Sequence, residues 1–238
     1  MSFTVLIPSR FDSTRLPGKP LADLNGKSLI QRVYEAAKLS DASSVFVATD
    51  SKKIEEECDS FGGRSILTKS SHQTGSDRLS EAATLLSLDD DQIIINLQGD
   101  EPFIDHRDIN ALAEMALKTN ADMITLYADL EAKDKNDKNV VKISIQNIDE
   151  AISFSRKFNG SLNVGVSTFR HLGIYAYKVS FLREFIKLNQ SRNELLENLE
   201  QLRVLDNQGS IKAIKSLGLI HLGIDTQEDL NEARKILS

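Results

Sequence analysis

Apolar residues recur along this chain with two alternating periods. Thr4-Val5-Leu6-Ile7 is a short β-branched, apolar run stopped by Pro8, which reads as a buried strand whose carboxyl end opens into a long polar loop. From Ser28 onward Leu29, Ile30, Val33 and Ala37 fall at helical spacing, and residues 44–49 return to strand character, completing one βαβ unit. The alternation continues with a helix over 52–61, a Gly62-Gly63 break, a strand over 64–68, a helix over 76–86 and a nearly all-apolar strand over 92–97. Continuous apolar runs suit strands covered on both faces, so the first half predicts an α/β fold with a doubly wound, mostly parallel central sheet. Ligands of such sheets bind beyond the carboxyl ends of the strands.

After a helix over 108–119 the pattern changes. Residues 123–130, 140–146, 151–155 and 171–178 read as antiparallel strands on an excursion from the main sheet, with the charged stretch 131–139 as a surface loop. Helices over 181–188 and 193–205, a strand over 211–215 and a last helix over 226–237 follow, without internal repeats or low-complexity segments. At 238 residues the chain reads as one domain.

Composition narrows the function classes. Hydrophobic residues are 40% of the chain and charged ones 27%, as in a globule with a sizeable core. The 29 basic and 35 acidic residues leave a net charge of −6 with no long block of either sign, which argues against a nucleic-acid partner. Cys58 is the only cysteine, so no internal disulfide or cysteine metal cluster can form, and a half-buried structural thiol is expected. The first strand begins beside Met1 without a signal-peptide pattern, and no apolar run reaches spanning length; the expectation is a cytoplasmic protein without membrane insertion.

The candidate chemistry begins in the loop after the first strand. Pro8-Ser9-Arg10-Phe11-Asp12-Ser13-Thr14-Arg15-Leu16-Pro17-Gly18-Lys19-Pro20 places Arg10, Arg15 and Lys19 where an α/β sheet holds phosphates, and its glycine and prolines suit a triphosphate cradle. Neither a Walker loop nor a dinucleotide glycine fingerprint is present. In Asn96-Leu97-Gln98-Gly99-Asp100-Glu101-Pro102 an apolar strand delivers carboxylates into a turn, which suits Mg²⁺, with Asp100 as first ligand and Glu101 equally a turn residue. In the segment 223–230, Thr226 and Asp229 fit a helix cap, whereas Asp225 is free to be a second metal ligand. The segment 72–78 offers a base- or ribose-reading turn or a plain cap, and His171 and Tyr175 share one face of a strand.

Taken together, the segments 7–20, Ala48-Thr49-Asp50, 72–78, 97–102, Ser155-Arg156, 170–177, 199–203 and 223–230 resemble the CMP-Kdo synthetases, the 3-deoxy-manno-octulosonate (Kdo) cytidylyltransferases, over nearly the whole chain. The resemblance implies a nucleotide-diphospho-sugar transferase fold with a smaller antiparallel dimerisation excursion, and a homodimer. It divides the single domain into a nucleotide-binding part over 1–120, a sugar-binding and dimerisation part over 121–220, and a metal-ligand turn with the C-terminal helix over 221–238. It implies that Arg10, Arg15 and Lys19 hold the CTP phosphates, with Pro8, Ser9, Gln73, Thr74, Gly75, Ser76, Arg78 and Asp100 also at the nucleotide. Asp100 and Asp225 would carry Mg²⁺. Gln98, Arg156, His171, Tyr175, Glu200 and Gln201 would surround the sugar acid, with Arg156 against its carboxylate. The implied reaction is attack of the sugar's anomeric hydroxyl on the α-phosphorus of CTP, giving CMP-sugar and pyrophosphate for lipopolysaccharide biosynthesis.

One stretch departs from the pattern. Where the family has an Ile-Pro pair soon after Ser155-Arg156, this chain reads Lys157-Phe158-Asn159-Gly160-Ser161-Leu162-Asn163, so an 8-amino relative of Kdo or another ulosonic acid is the alternative acceptor for a site bordered by residues 157–169. Rival readings are a catalytically silent nucleotide-binding protein and a transferase for a different base; a nicotinamide-dependent oxidoreductase lacks its glycine fingerprint.

Overall fold

A computed structural model of the protein describes residues 2–158, 160 and 164–238. In chain order the elements are β1 (Phe3–Ser9), α1 (Leu29–Lys38), β2 (Ser44–Thr49), α2 (Lys52–Ser60), β3 (Ser65–Leu67), α3 (Gly75–Leu85), β4 (Ile93–Asn96), α4 (His106–Lys118), β5 (Met123–Ala128), β6 (Lys142–Gln146), β7 (Glu150–Ser155), β8 (Val166–Lys178), α5 (Val179–Phe185), α6 (Arg192–Glu197), α7 (Leu202–Asp206), β9 (Ile211–Lys215) and α8 (Gln227–Ile236). Side-chain caps set several helix starts: Ser28 accepts from the Gln31 amide at α1, and Thr74, Ser191 and Thr226 form capping boxes at α3, α6 and α8.

The strands form one sheet in the order β3-β2-β1-β4-β8-β5-β9-β7-β6. Its first four strands are parallel, as their apolar runs predict. The expectation of a mostly parallel sheet fails beyond β4. There β8 inserts antiparallel to both β4 and β5, β9 runs parallel to β5, and the β6–β7 pair is antiparallel. The sheet is therefore mixed. The first part of β8 also pairs with β6, so β8, β5, β9, β7 and β6 close on one another.

Period-two alternation sends successive β1 residues to opposite faces: Val5 and Ile7 join a core with α1, α2, α4 and α8, while Leu6 joins a second core with α3, α5 and α7. Cys58 lies in the first of these cores, fully buried rather than half-buried, and burial foremost pushes its thiol pKa up to about 12. The expected single helix over 193–205 is two helices, because Asn198 takes a left-handed conformation (φ 53°) and ends α6. The loop over 131–139 contains a short 3-10 turn, Lys133–Lys135, with Asp134 buried beside Arg170. Positions 159 and 161–163 of the altered 157–169 stretch lie outside the described residues.

Candidate active site

Three chain segments meet at the carboxyl ends of β1 and β4. The cradle loop leaves β1 at Ser9 and is turned by Gly18 (φ 67°), a left-handed position that glycine takes at little cost, into a 3-10 turn, Lys19–Leu21, that carries Pro20 in its first turn. Lys19 N–H donates to Leu16 O at 3.0 Å, and Leu16 is itself buried, so the base of the lysine is anchored. After β4, a Cβ on Gly99 would lie 3.1 Å from the Pro8 carbonyl; its absence lets Gln98 and Asp100 pass this close to β1. The third segment docks through Ile224 N–H on Asp100 O (2.9 Å), which delivers Asp225 just ahead of the α8 cap.

The three converge on one ammonium. Lys19 Nζ stands 2.7 Å from Asp100 Oδ2 and 2.9 Å from Asp225 Oδ1, and Arg15 Nη2 stands 2.9 Å from Asp225 Oδ2. Burial lowers the Lys19 pKa and the two carboxylates, Asp100 before Asp225, more than offset it, so the ammonium stays charged. Arg10 is exposed and makes no ion pair among the described residues. Glu101, next along, has its pKa raised to about 7, by burial first and the Asp100 charge second.

Arg10, Arg15, Lys19, Asp100 and Asp225 wall a cavity of ≈ 310 Å³, together with Pro8, Ser9, Gln73, Thr74, Gly75, Arg78 and Gln98. The turn before α3 is held by its own bonds: Thr74 closes a capping box with Asp77, and His72 Nε2 lies 2.5 Å from Glu81 Oε2. Of the residues grouped with the nucleotide in the sequence, Ser76 alone does not line this cavity; its hydroxyl donates instead to Glu200 Oε2 at 3.1 Å. A larger depression of ≈ 410 Å³ between Tyr34, Lys38, Phe61 and Arg64 sits at the other end of β2. It collects the carboxyl ends of α1 and α2, whose dipoles oppose anions.

Gln98 bridges this cavity to a second polar cluster by donating to Asn96 Oδ1 (3.2 Å), and Asn96 is paired in register with Tyr175. The His171 and Tyr175 rings lie 5.7 Å apart. Thr125 Oγ1, which donates to Ile174 O at 2.8 Å, stands 3.0 Å from His171 Nε2 and accepts its proton, leaving Nδ1 as the ring's acceptor. Burial holds this imidazole neutral, with a pKa lowered to about 3, and raises the Tyr175 phenol. Glu200 and Gln201 follow the left-handed Asn198; burial outweighs the hydroxyls of Thr74 and Ser76 and raises the Glu200 pKa. Glu200 Oε1 and Gln201 Nε2 are buried with no hydrogen-bond partner among the described residues. Arg156 stands off the cavity wall, its Nε on Glu197 O (2.9 Å) and its Nη1 on Lys138 O (3.2 Å).

Two carboxylates held around one cation are the oxygen donors suited to Mg²⁺, which needs one or two of them beside phosphate oxygens; here Lys19 Nζ lies between them. No group of three or more His, Cys, Asp or Glu side chains arranged for a metal occurs among the described residues. Asp50 carries no assigned role in the family resemblance, and no local pattern singles out Thr125. Asp50 directly follows β2, whose last residues pair with Pro8 and Ser9, and that strand-end position was the available signal.

The family model for cytidylyltransferases matches residues 4–215. The chain is 43% identical to the 3-deoxy-manno-octulosonate cytidylyltransferase of Idiomarina loihiensis, over 99% of this chain and 98% of that one. It is 39% identical to the protein of the same description from Photobacterium profundum, with 100% of each covered. A solved structure of CMP:2-keto-3-deoxy-manno-octonic acid synthetase complexed with CTP matches with a TM-score of 0.90 at 35% identity, over 99% of this chain and 98% of that one. A cytidylyltransferase from Leptospira borgpetersenii serovar Hardjo-bovis, at 19% identity and a TM-score of 0.62 over 96% of this chain and 82% of that one, shares the fold.

Proposed function

The chain belongs to the cytidylyltransferase family, among the 3-deoxy-manno-octulosonate cytidylyltransferases, and from that membership we propose that it transfers CMP from CTP to the anomeric hydroxyl of Kdo. The observation that carries this reading is the meeting of Lys19, Arg15, Asp100 and Asp225 in one cavity at the strand ends where an α/β sheet binds phosphates.

The hydroxyl oxygen forms a bond to the α-phosphorus and loses its proton, while the bond from that phosphorus to the bridging oxygen breaks and pyrophosphate leaves. Arg10, Arg15 and Lys19 bind the β- and γ-phosphates and neutralise the charge that develops on the leaving group. Asp100 and Asp225 would hold Mg²⁺, which when bound offsets phosphate charge and lowers the pKa of the attacking hydroxyl. Pro8, Gly75 and the 73–78 turn position the nucleoside. Glu200 Oε1, Gln201 Nε2 and His171 Nδ1 supply buried acceptors and a donor for sugar hydroxyls, a role supported for Glu200 Oε1 and Gln201 Nε2 by their lack of protein partners among the described residues. Arg156 Nη2, which has no hydrogen-bond partner among the described residues, is the group offered to the sugar carboxylate.

The antiparallel β6–β7 hairpin and α6 expose Ile148, Leu195 and Leu196, which supports a homodimer formed through this part of the sheet. CTP is a cytoplasmic nucleotide, so the reaction belongs there, and CMP-Kdo is an activated donor of the kind lipopolysaccharide assembly consumes. Incubation with CTP, Mg²⁺ and a panel of Kdo, 8-amino-Kdo and nine-carbon ulosonic acids, with product masses recorded, tests the reading. CMP-Kdo and pyrophosphate as main products support it; another preferred acid, or no release of pyrophosphate, contradicts it.

A further inference from the structure

Asp50 makes the two contacts that join opposite walls of the nucleotide cavity, and we propose that it is a positioning residue that sets the distance between the phosphate cradle and the nucleoside turn. The inference rests on the cytidylyltransferase reading of that cavity. Asp50 follows β2 directly and does not itself line the cavity. Its Oδ1 accepts from the backbone N–H of Phe11 at 3.4 Å, in the irregular loop between Arg10 and Arg15. Its Oδ2 lies 2.7 Å from Arg78 Nη2, on the first turn of α3. One carboxylate therefore grips both the cationic loop and the helix whose N-terminus faces the nucleoside.

The surroundings make this grip directional. Arg78 has a side chain 4% exposed, and its other side-chain partner among the described residues is the Thr68 hydroxyl at 2.6 Å, which in turn donates to Thr49 O. A guanidinium so enclosed needs an anion, and because Arg78 also lines the cavity, without Asp50 it would turn to an anion bound there. Phe11 is held at its ring too: Lys53 Nζ sits 5.0 Å from the ring centroid, and the ring packs against the core. Asp50 thus fixes the one backbone amide of Phe11 between two packed anchors. Losing the carboxylate frees the loop's amide and turns Arg78 toward the cavity, so the phosphates shift relative to the nucleoside while the sugar cluster keeps its geometry.

The test compares wild type with Asp50→Ala, which loses both contacts, and Asp50→Asn, which keeps an oxygen for Phe11 N–H but loses the charge facing Arg78. Calorimetric CTP binding and steady-state kinetics are measured, with melting temperature as a check on folding. The expected result is a KM for CTP raised about 10- to 100-fold in Asp50→Ala. The Asn variant should be raised less, the KM for Kdo should stay within about threefold, and the preference for CTP over UTP should narrow. A role limited to stability would lower the melting temperature and leave that split unmoved. Wild-type KM values in the folded Ala variant, or equal losses for CTP and Kdo, overturn the inference; if the Ala variant does not fold, the Asn variant decides by the same split. Failure of the wild-type protein to bind CTP would instead overturn the functional reading.

Discussion

Asp100 and Asp225 arrive from distant parts of the chain to share one ammonium, that of Lys19, at 2.7 and 2.9 Å. The cation that a triphosphate would recruit is thus already engaged by the two carboxylates that a metal would recruit. On the proposed reading, a bound nucleotide and Mg²⁺ would exchange these partners together.

Lys19→Met removes the shared cation and leaves two facing carboxylates. Because the Lys19–Asp100 pair is mostly buried while Asp225 is nearly half exposed, the stability loss is about 1–3 kcal/mol, or several degrees of melting temperature. Millimolar Mg²⁺ alone should raise the variant's melting temperature more than that of wild type, as read by calorimetry with and without EDTA. Equal responses would show that Lys19 does not occupy the cation position. Turnover should fall at least about 100-fold.

Asp100→Asn and Asp225→Asn keep side-chain size and should keep the fold, with melting temperatures within a few degrees of wild type. Each is expected to lower kcat by about 100- to 1000-fold in a pyrophosphate-release assay. Near-normal turnover in either variant would remove that aspartate from the metal pair.

His171 makes stability depend on pH with a defined sign. Its pKa is about 3 in the folded protein and 6.5 ordinarily, so below pH 6.5 the unfolded chain binds the proton that the folded chain refuses. Its stability contribution is complete above pH 6.5 and is lost as pH falls toward 3, by up to about 1.4 kcal/mol per unit. Urea midpoints at pH 7 and pH 5 should differ less in His171→Asn than in wild type. An equal difference would mean that the imidazole is not held neutral.

How much of this could be read in the chain depended on whether the signal was local. The β1 strand, the basic loop after it and the Ser44–Thr49 strand were legible because apolar period and turn chemistry lie within each segment. Strand direction was not. Nothing in residues 171–178 says that β8 will run between β4 and β5, since that choice is made by pairing with strands far away. The break at Asn198 was hidden for a different reason: Asn193 to Leu205 keeps helical spacing across it, and only one φ value reverses the chain. The convergence of Lys19, Asp100 and Asp225 was expected from the strand-end positions of Lys19 and Asp100, the place of Asp225 just before a helix cap, and the family resemblance, whereas the double grip of Asp50 depended on side-chain distances that no spacing encodes.

The break at Asn198 has its own anchor. Arg203 Nε donates to Glu194 Oε2 at 2.8 Å, both side chains are buried, and Glu194 also closes the α6 cap. Arg203→Ala leaves Glu194 buried without its partner and should cost about 3–5 kcal/mol in urea unfolding, with a raised KM for the sugar because Glu200 and Gln201 sit on the same turn. A loss below about 1 kcal/mol would mean that the turn is held by other contacts.

The most direct test of the account is a crystal structure of the protein with CTP and Mg²⁺. The account predicts the triphosphate in the cavity between Arg15, Lys19 and the 73–78 turn, with metal density touching Asp100 and Asp225 and the Lys19 ammonium moved onto phosphate oxygen. Nucleotide density elsewhere, such as in the depression between Tyr34 and Arg64, or a triphosphate that leaves Lys19 paired with both aspartates, would contradict it.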